Sequence, residues 1–228
     1  MSRIRRRIEA MAPASEIAVV VALTIGFGLL LTALLLLGAP GAREIIRDFA
    51  FTDAVLIENG IAEIALGGLA ILFLRLRGWR MDALFPRPTW PTTVVGVALA
   101  AATWIVLTLI ENALLALEVG DALQEIGQRS HVSLGAVVGF SIVNGAYEEI
   151  LWLGYLLPAL SRSGPVFAVC LSAALRASLH FYQGPTGAIV NLVLGLAWGT
   201  LFWRTRLLWP FILAHALNDL VSLAEWLE

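Results

Sequence analysis

Six ionisable side chains stand where an otherwise oily sequence should carry none: Glu148, Glu149, Arg176, His180, His215 and Asp219. On insertion scales each costs about 2.5–3.5 kcal/mol at the centre of a bilayer. Even discounted for pairing, together they oppose insertion by an amount comparable to the whole stability of a domain, about 5–15 kcal/mol. Such groups persist only by facing a bundle interior, pairing with one another, or meeting water. Their confinement to the C-terminal half points to one shared polar cavity. Arg176 and His180 are four apart and share a helix face, as do His215 and Asp219. Glu148 and Glu149 are adjacent and so diverge by roughly 100° around a helix. One can reach the cavity while the other turns towards a neighbouring helix. Two adjacent buried carboxylates do not readily ionise together.

The set holds a carboxylate base, two imidazoles and, at Asn218 and Asp219, an amide and a carboxyl neighbour. A carboxylate can deprotonate a water, imidazoles can orient that water or the substrate, and donors can hold a developing oxyanion. That chemistry is amide hydrolysis inside a membrane cavity. Other nucleophiles fit less well. Ser178 lies two positions from His180 and faces away along a helix. Cys170 sits in an apolar stretch and reads as packing, and one cysteine makes neither an intrachain disulfide nor a thiolate cluster. Two His and a Glu could ligate Zn, but no His-Glu-x-x-His lies on a single helix, so the metal reading is the weaker one and no cofactor is expected.

These residues must be positioned by membrane helices. Of 228 residues, 59% are hydrophobic and 14% charged, against about half and a quarter in a soluble domain. A net charge of −2 gives no basic field for nucleic acid. Membrane helices need about 20 mostly apolar residues. Segments 17–38, 54–74, 92–117, 133–160, 165–180, 186–203 and 207–223 meet or approach that length, the fifth being short. The expectation is an all-α polytopic bundle of seven or eight spans: a basic segment 1–15, N-terminal helices 16–130, and a core 131–228 in one structural domain with them. All fifteen basic residues are Arg. Arg3, Arg5, Arg6, Arg7, Arg75, Arg77, Arg80, Arg87, Arg162, Arg204 and Arg206 fall on one side of this path, and only Arg43, Arg47 and Arg129 on the other. The positive-inside rule then puts the N-terminus in the cytoplasm and the chain in the cytoplasmic membrane. The first span is too long for a signal peptide's apolar run of about 7–15 residues and reads as retained. Glu58, Glu63 and Glu111 read as interior pairing or cavity-edge groups, with gating or substrate contact as the alternative, and His131 and most Trp as interfacial. Gly195 and Gly199 read as a helix-packing face within the bundle.

Three ordered motifs carry a resemblance. Glu148-Glu149-Ile-Leu-Trp-Leu-Gly154-Tyr155-Leu-Leu-Pro158, Leu179-His180-Phe181-Tyr182-Gln183-Gly184 and Leu208-Trp209-Pro210-Phe-Ile-Leu-Ala214-His215-Ala-Leu-Asn218-Asp219 resemble those of the CPBP family, the CAAX prenyl proteases and bacteriocin-processing (Abi) proteins. The likeness covers roughly Ser133 to Leu223. It implies a membrane-embedded, glutamate-dependent endopeptidase acting on a peptide or membrane-protein substrate. By position, Glu148 would activate the water with help from His180, His215 and Asp219 would line the oxyanion site, and Glu149 would support the first motif. Three departures stand out. The family's Glu-Glu-x-x-x-Arg has Leu153 at its Arg position, the Phe four residues before the second-motif His is Arg176, and Asp219 stands where Asn is common. The first two together imply a swap, the guanidinium reaching the glutamates from the fifth segment. For the third, either Asp219 is protonated or Asn218 shares the donor task. The competing readings are a non-catalytic membrane scaffold or bacteriocin self-immunity protein of the same family, and a proton-coupled carrier, which the one-sided clustering of polar groups disfavours.

Overall fold

The computed structural model describes residues 10–39, 41, 52–118, 132–225 and 227. Arg3, Arg5, Arg6, Arg7, Arg43, Arg47, Asp121, Glu125, Arg129, His131, Trp226 and Glu228 lie outside them. Every regular element among the described residues is helical: α1 Pro13–Thr24, α2 Gly26–Leu36, α3 Asp53–Leu76, the short α4 Met81–Leu84, α5 Trp90–Ala116, α6 Leu134–Glu149, α7 Pro165–Leu179, α8 Gly184–Thr205 and α9 Trp209–Ala224. Four helical runs are long and apolar enough to cross a membrane, or five if the bent pair α1–α2 is one span. The outer faces carry exposed Ile57, Ile61, Leu72, Val97, Ile105 and Leu109, as a lipid-facing surface requires.

Against the seven or eight spans expected, the described residues hold four such helical runs, or up to five, and three local features depart from the expected segments. The first is a bend of 78° between α1 and α2. Thr24 supplies two causes. Its Oγ1 donates back to the Val20 carbonyl (2.7 Å), a bond that bends helices. Its own carbonyl accepts from the Tyr147 hydroxyl (2.8 Å). The second is a π-helical stretch, Ile150–Leu156, directly after Glu149. Pro158 has no N–H for the Gly154 carbonyl and its ring crowds that carbonyl, so a wider turn precedes it. The third is that α7 and α8 form one helical run of 41 residues folded back on itself. The 3-10 turn His180–Gln183 reverses the chain, Gly184 takes φ +83°, and Pro185 starts α8. Gly195 faces Ala173 and Gly199 faces Val169, which makes the pair antiparallel. The small-residue face therefore packs within the bundle, as its spacing predicts. A Cβ on Gly195 would come within 2.8 Å of the Ala173 backbone.

Polar ties mark the two ends of the bundle. At one, Ser133 N–H donates to Asp53 Oδ1 (2.7 Å) and Val132 bridges Leu227, joining the starts of α3 and α6 to the end of α9. At the other, Glu16 gathers the start of α1, the end of α3 and the chain after α6. Arg77 Nε (2.5 Å), Trp79 Nε1 (2.9 Å) and Tyr155 Oη (3.4 Å) all donate to its carboxylate. Trp209 Nε1 donates to Thr93 Oγ1 (3.0 Å), tying the starts of α9 and α5. The core between these ends runs through Leu74, Leu84, Trp152, Tyr155, Leu157 and Phe211, all nearly inaccessible. Thr52, Thr89 and Ser133 cap α3, α5 and α6 through their side chains. Helices in a bilayer gain little from the hydrophobic effect among themselves, so close approach matters. A Cβ on Gly145 of α6 would sit 2.7 Å from the Ala216 backbone of α9. That near contact brings together the two helices that carry the glutamates and His215.

Two sequence expectations are corrected. Glu58 and Glu111 are exposed on the outer faces of α3 and α5, not interior, while Glu63 does lie half-buried at a cavity edge. Cys170 is exposed, because α7 turns its packing face, Ala173 and Val169, towards α8. Ser178 donates its hydroxyl to the Ala174 carbonyl (2.8 Å).

Candidate active site

The end of α6, the end of α7 and the middle of α9 converge. Glu149 is fully buried. Its Oε1 accepts from Arg176 Nη2 at 2.8 Å and from His215 Nδ1 at 2.7 Å. Arg176, 2% exposed, is shared: Nη2 also lies 3.5 Å from Glu148 Oε2, and its guanidinium carbon lies 5.6 Å from the Trp198 ring centroid. The divergence of adjacent residues on α6 is thus realised. Glu149 turns into the α7–α9 seam, while Glu148 stays partly accessible and lines a cavity of ≈ 240 Å³ beside α1–α2. Trp152 Nε1 donates to Glu148 Oε2 at 3.3 Å.

His180 stands 4.0 Å from Glu148, Nε2 to Oε1. Both of its ring nitrogens are buried without a hydrogen-bond partner among the described residues. Simple span counting puts His180 towards the outer end of the fifth segment, away from a mid-membrane Glu148. The fifteen residues of α7 rise only about 22 Å, so its tip stops at the level of Glu148. On α9, His215 Nε2 lies 3.5 Å from Asp219 Oδ1. Asp219 Oδ2 accepts from Asn144 Nδ2 at 2.7 Å. No hydrogen bond joins Asn218 to this group among the described residues. The structure therefore brings Glu148, Glu149, Arg176, His180, His215 and Asp219 together and leaves Asn218 aside.

Sequence reasoning passed over Asn144, Trp152, Trp198 and Tyr147. Asn144 lies four residues before Glu148 and thus on its face, which was a readable signal. The two Trp and the Tyr were hidden among apolar neighbours. The site also gains Glu63 of α3, whose electrostatic neighbours include Glu148, Asp219 and His215.

Glu148, Glu149 and His215 offer three ligand atoms within 4.8 Å of one another, the spacing of a metal site. Arg176 Nη2 lies 2.8 Å from Glu149, 3.5 Å from Glu148 and 3.3 Å from His215 Nδ1. The guanidinium thus takes the place a divalent ion would need and supplies its charge. The arrangement does not fit a metal. What it can do is hold one carboxylate fixed, keep a second one accessible beside an uncommitted imidazole, and aim a bracketed imidazole at the same space.

The comparisons agree with the position of these motifs. Residues 130–221 match the family described as type II CAAX prenyl endopeptidase Rce1-like, consistent with the CPBP resemblance. No curated protein and no solved structure matches the chain.

Proposed function

We propose that this chain, whose residues 130–221 carry the type II CAAX prenyl endopeptidase Rce1-like family, is an intramembrane endopeptidase that uses a glutamate-activated water. The observation that carries the reading is the pair Glu148 and His180. They stand 4.0 Å apart, too far for a direct hydrogen bond and close enough to share one small ligand. His180 has both ring nitrogens buried and uncommitted, and Glu148 opens onto a cavity. A water held there loses its proton to Glu148 as its oxygen attacks the scissile carbonyl carbon. The proton then passes to the leaving amine.

His215 and Asp219 form the oxyanion side. Glu149 accepts from Nδ1 of His215 and thereby fixes the ring with Nε2 3.5 Å from Asp219 Oδ1. Doubly protonated between the two carboxylates, the ring keeps an Nε2–H for the reacting carbonyl oxygen. An ionised Asp219 donates nothing. The Asn144 amide that holds it has a second N–H, and this hydrogen takes the donor role in place of Asn218. Arg176 supplies the charge that the first motif lacks at Leu153. The reading includes a multi-pass path in the cytoplasmic membrane with the N-terminus inside. It is supported by the alternating ends that the Asp53–Ser133, Glu16–Arg77 and Trp209–Thr93 ties define, and by the arginine count.

The test is cleavage of fluorogenic apolar peptides by the purified full chain in lipid nanodiscs. Glu148→Ala and His180→Ala should each lower kcat/KM by at least about 100-fold, as loss of a general base or its partner does. A chelator should leave the rate unchanged. Unchanged rates in both variants would overturn the roles of Glu148 and His180, and no cleavage by the wild type would leave the non-catalytic scaffold or immunity reading standing.

A further inference from the structure

Glu63 plays no part in that mechanism, yet it is an acidic group on an otherwise apolar stretch of α3. Its Oε2 is buried without a hydrogen-bond partner among the described residues. It lines a second cavity of ≈ 370 Å³, in the size range of small-ligand sites. The other walls are apolar: Ile64, Gly67 and Gly68 of α3, Ile142 and Ala146 of α6, and Phe85. Tyr147 and Leu151 line this cavity and also the one that holds Glu148. The two spaces therefore share a wall at Tyr147, the residue just before Glu148, and Tyr147 is held there by its bond to the Thr24 carbonyl.

Charge completes the description. The permanent cation Arg176 interacts with Glu149, Glu148 and Asp219, while Glu63 interacts with Glu148, Asp219 and His215. Arg176 is committed to Glu149 and Glu148, and His215 lies between Glu149 and Asp219. Glu63 lacks such a partner among the described residues. A carboxylate at the edge of an apolar cavity favours a ligand that brings an apolar body and a cationic head.

We infer that the Glu63 cavity is a substrate subsite, taking an apolar peptide segment whose neighbouring ammonium or guanidinium pairs with Glu63 while the scissile bond lies across Tyr147 at Glu148. This rests on the endopeptidase reading and names the class of peptide that it takes. The cation is either the peptide's amino terminus or a basic side chain next to the apolar run.

Gly68 makes the subsite testable. A Cβ there meets nothing within 4 Å, so Gly68→Phe starts from open space and brings a ring to the wall of the cavity that Gly68 lines. Binding is measured with fluorescein-labelled Leu/Ala peptides to the full chain carrying Glu148→Gln, in nanodiscs. One peptide has a free amino terminus, one is acetylated, and one is acetylated with an Arg beside the apolar run. The free-amine or the Arg peptide should bind at least tenfold more tightly than the plain acetylated one, and which of them does so identifies the cation. Glu63→Gln should abolish that difference. Gly68→Phe should weaken all binding tenfold or more, while Thr200→Phe, on the exposed face of α8, changes nothing. Equal affinity of all three peptides, or full affinity after Gly68→Phe, overturns the subsite. Loss of peptide binding when phosphatidylethanolamine is added to the nanodisc would make the cavity a lipid's site and equally overturn it. Cleavage by the wild type separates the two readings. If the binding pattern holds without hydrolysis, the subsite stands and the protease falls. If hydrolysis occurs and ignores Glu63 and Gly68, the reverse holds.

Discussion

Arg176 is the residue whose removal should be felt most. It is buried against Glu149 and Glu148, and deleting one member of a buried pair costs roughly 3–5 kcal/mol. Arg176→Leu should therefore lower both thermal stability in detergent and peptide cleavage. Adding Leu153→Arg should restore part of the activity, because the family's first motif places its guanidinium at that position. A double variant no better than Arg176→Leu would refute the swap. Asn144 supports a second prediction. Asn144→Leu should cut kcat about 100-fold with KM little changed, as loss of an oxyanion donor does. Asp219→Asn should retain activity and soften the effect of Asn144→Leu, since it restores an amide on α9. Most of this constellation was legible in the sequence, because charge is conspicuous in an apolar chain and spacing of four fixes a face. What stayed hidden was which pairs form. Nothing local to residue 176 says that its guanidinium meets Glu149, and an Asn in a helix gives no sign that its partner is 75 positions away.

At the scale of helices, the site depends on how closely α6 and α9 approach. Glu149 and His215 are 2.7 Å apart because Gly145 lets the Ala216 backbone come within what would be 2.7 Å of a Cβ. Gly145→Val should force the helices apart and cost about 1–3 kcal/mol, the usual range for overpacking. Its effect on cleavage should exceed its effect on stability, since a shift of about 1 Å in catalytic geometry can cost 100-fold. Cleavage and thermal midpoints measured on the same samples check this, with the outward-facing Gly139→Val as the comparison, where a Cβ meets nothing. Element existence was readable from runs of apolar residues, and most boundaries of α3, α5, α6 and α9 lie within two residues of the sequence reading. The π-helical stretch and the bend at Ile25 were not. Both arise from contacts or clashes of single carbonyls, at Gly154 with Pro158 and at Thr24 with Tyr147. An uncharged run of 22 residues looks continuous whichever way its middle carbonyl points.

Across the whole molecule, the N-terminal pair is fastened at one end and shaped at the other. Glu16 of α1 is 6% exposed and receives donors from Arg77, Trp79 and Tyr155. Arg77 also donates to the Met11 carbonyl (2.8 Å). Beyond the bend, Phe27, Gly28, Leu31 and Thr32 of α2 line the cavity that contains Glu148, and Thr32 Oγ1 donates to the Ser178 carbonyl near His180 (2.6 Å). The part of the chain outside the family match thus contributes, through α2, one wall of the site. Loosening the Glu16 anchor should disturb that wall from a distance. Glu16→Ala takes the carboxylate from a buried guanidinium, an indole and a hydroxyl, so it should lower the thermal midpoint in detergent by several degrees. It should also raise KM while leaving kcat nearly unchanged, because α2 touches the cavity rather than the reacting groups. Glu16→Leu with Arg77→Met removes both charges at once and should recover stability beyond either single change. If the double variant also regains the wild-type KM, the anchor acts through packing alone. A KM that stays high with stability regained would show that the ion pair itself sets the position of α2.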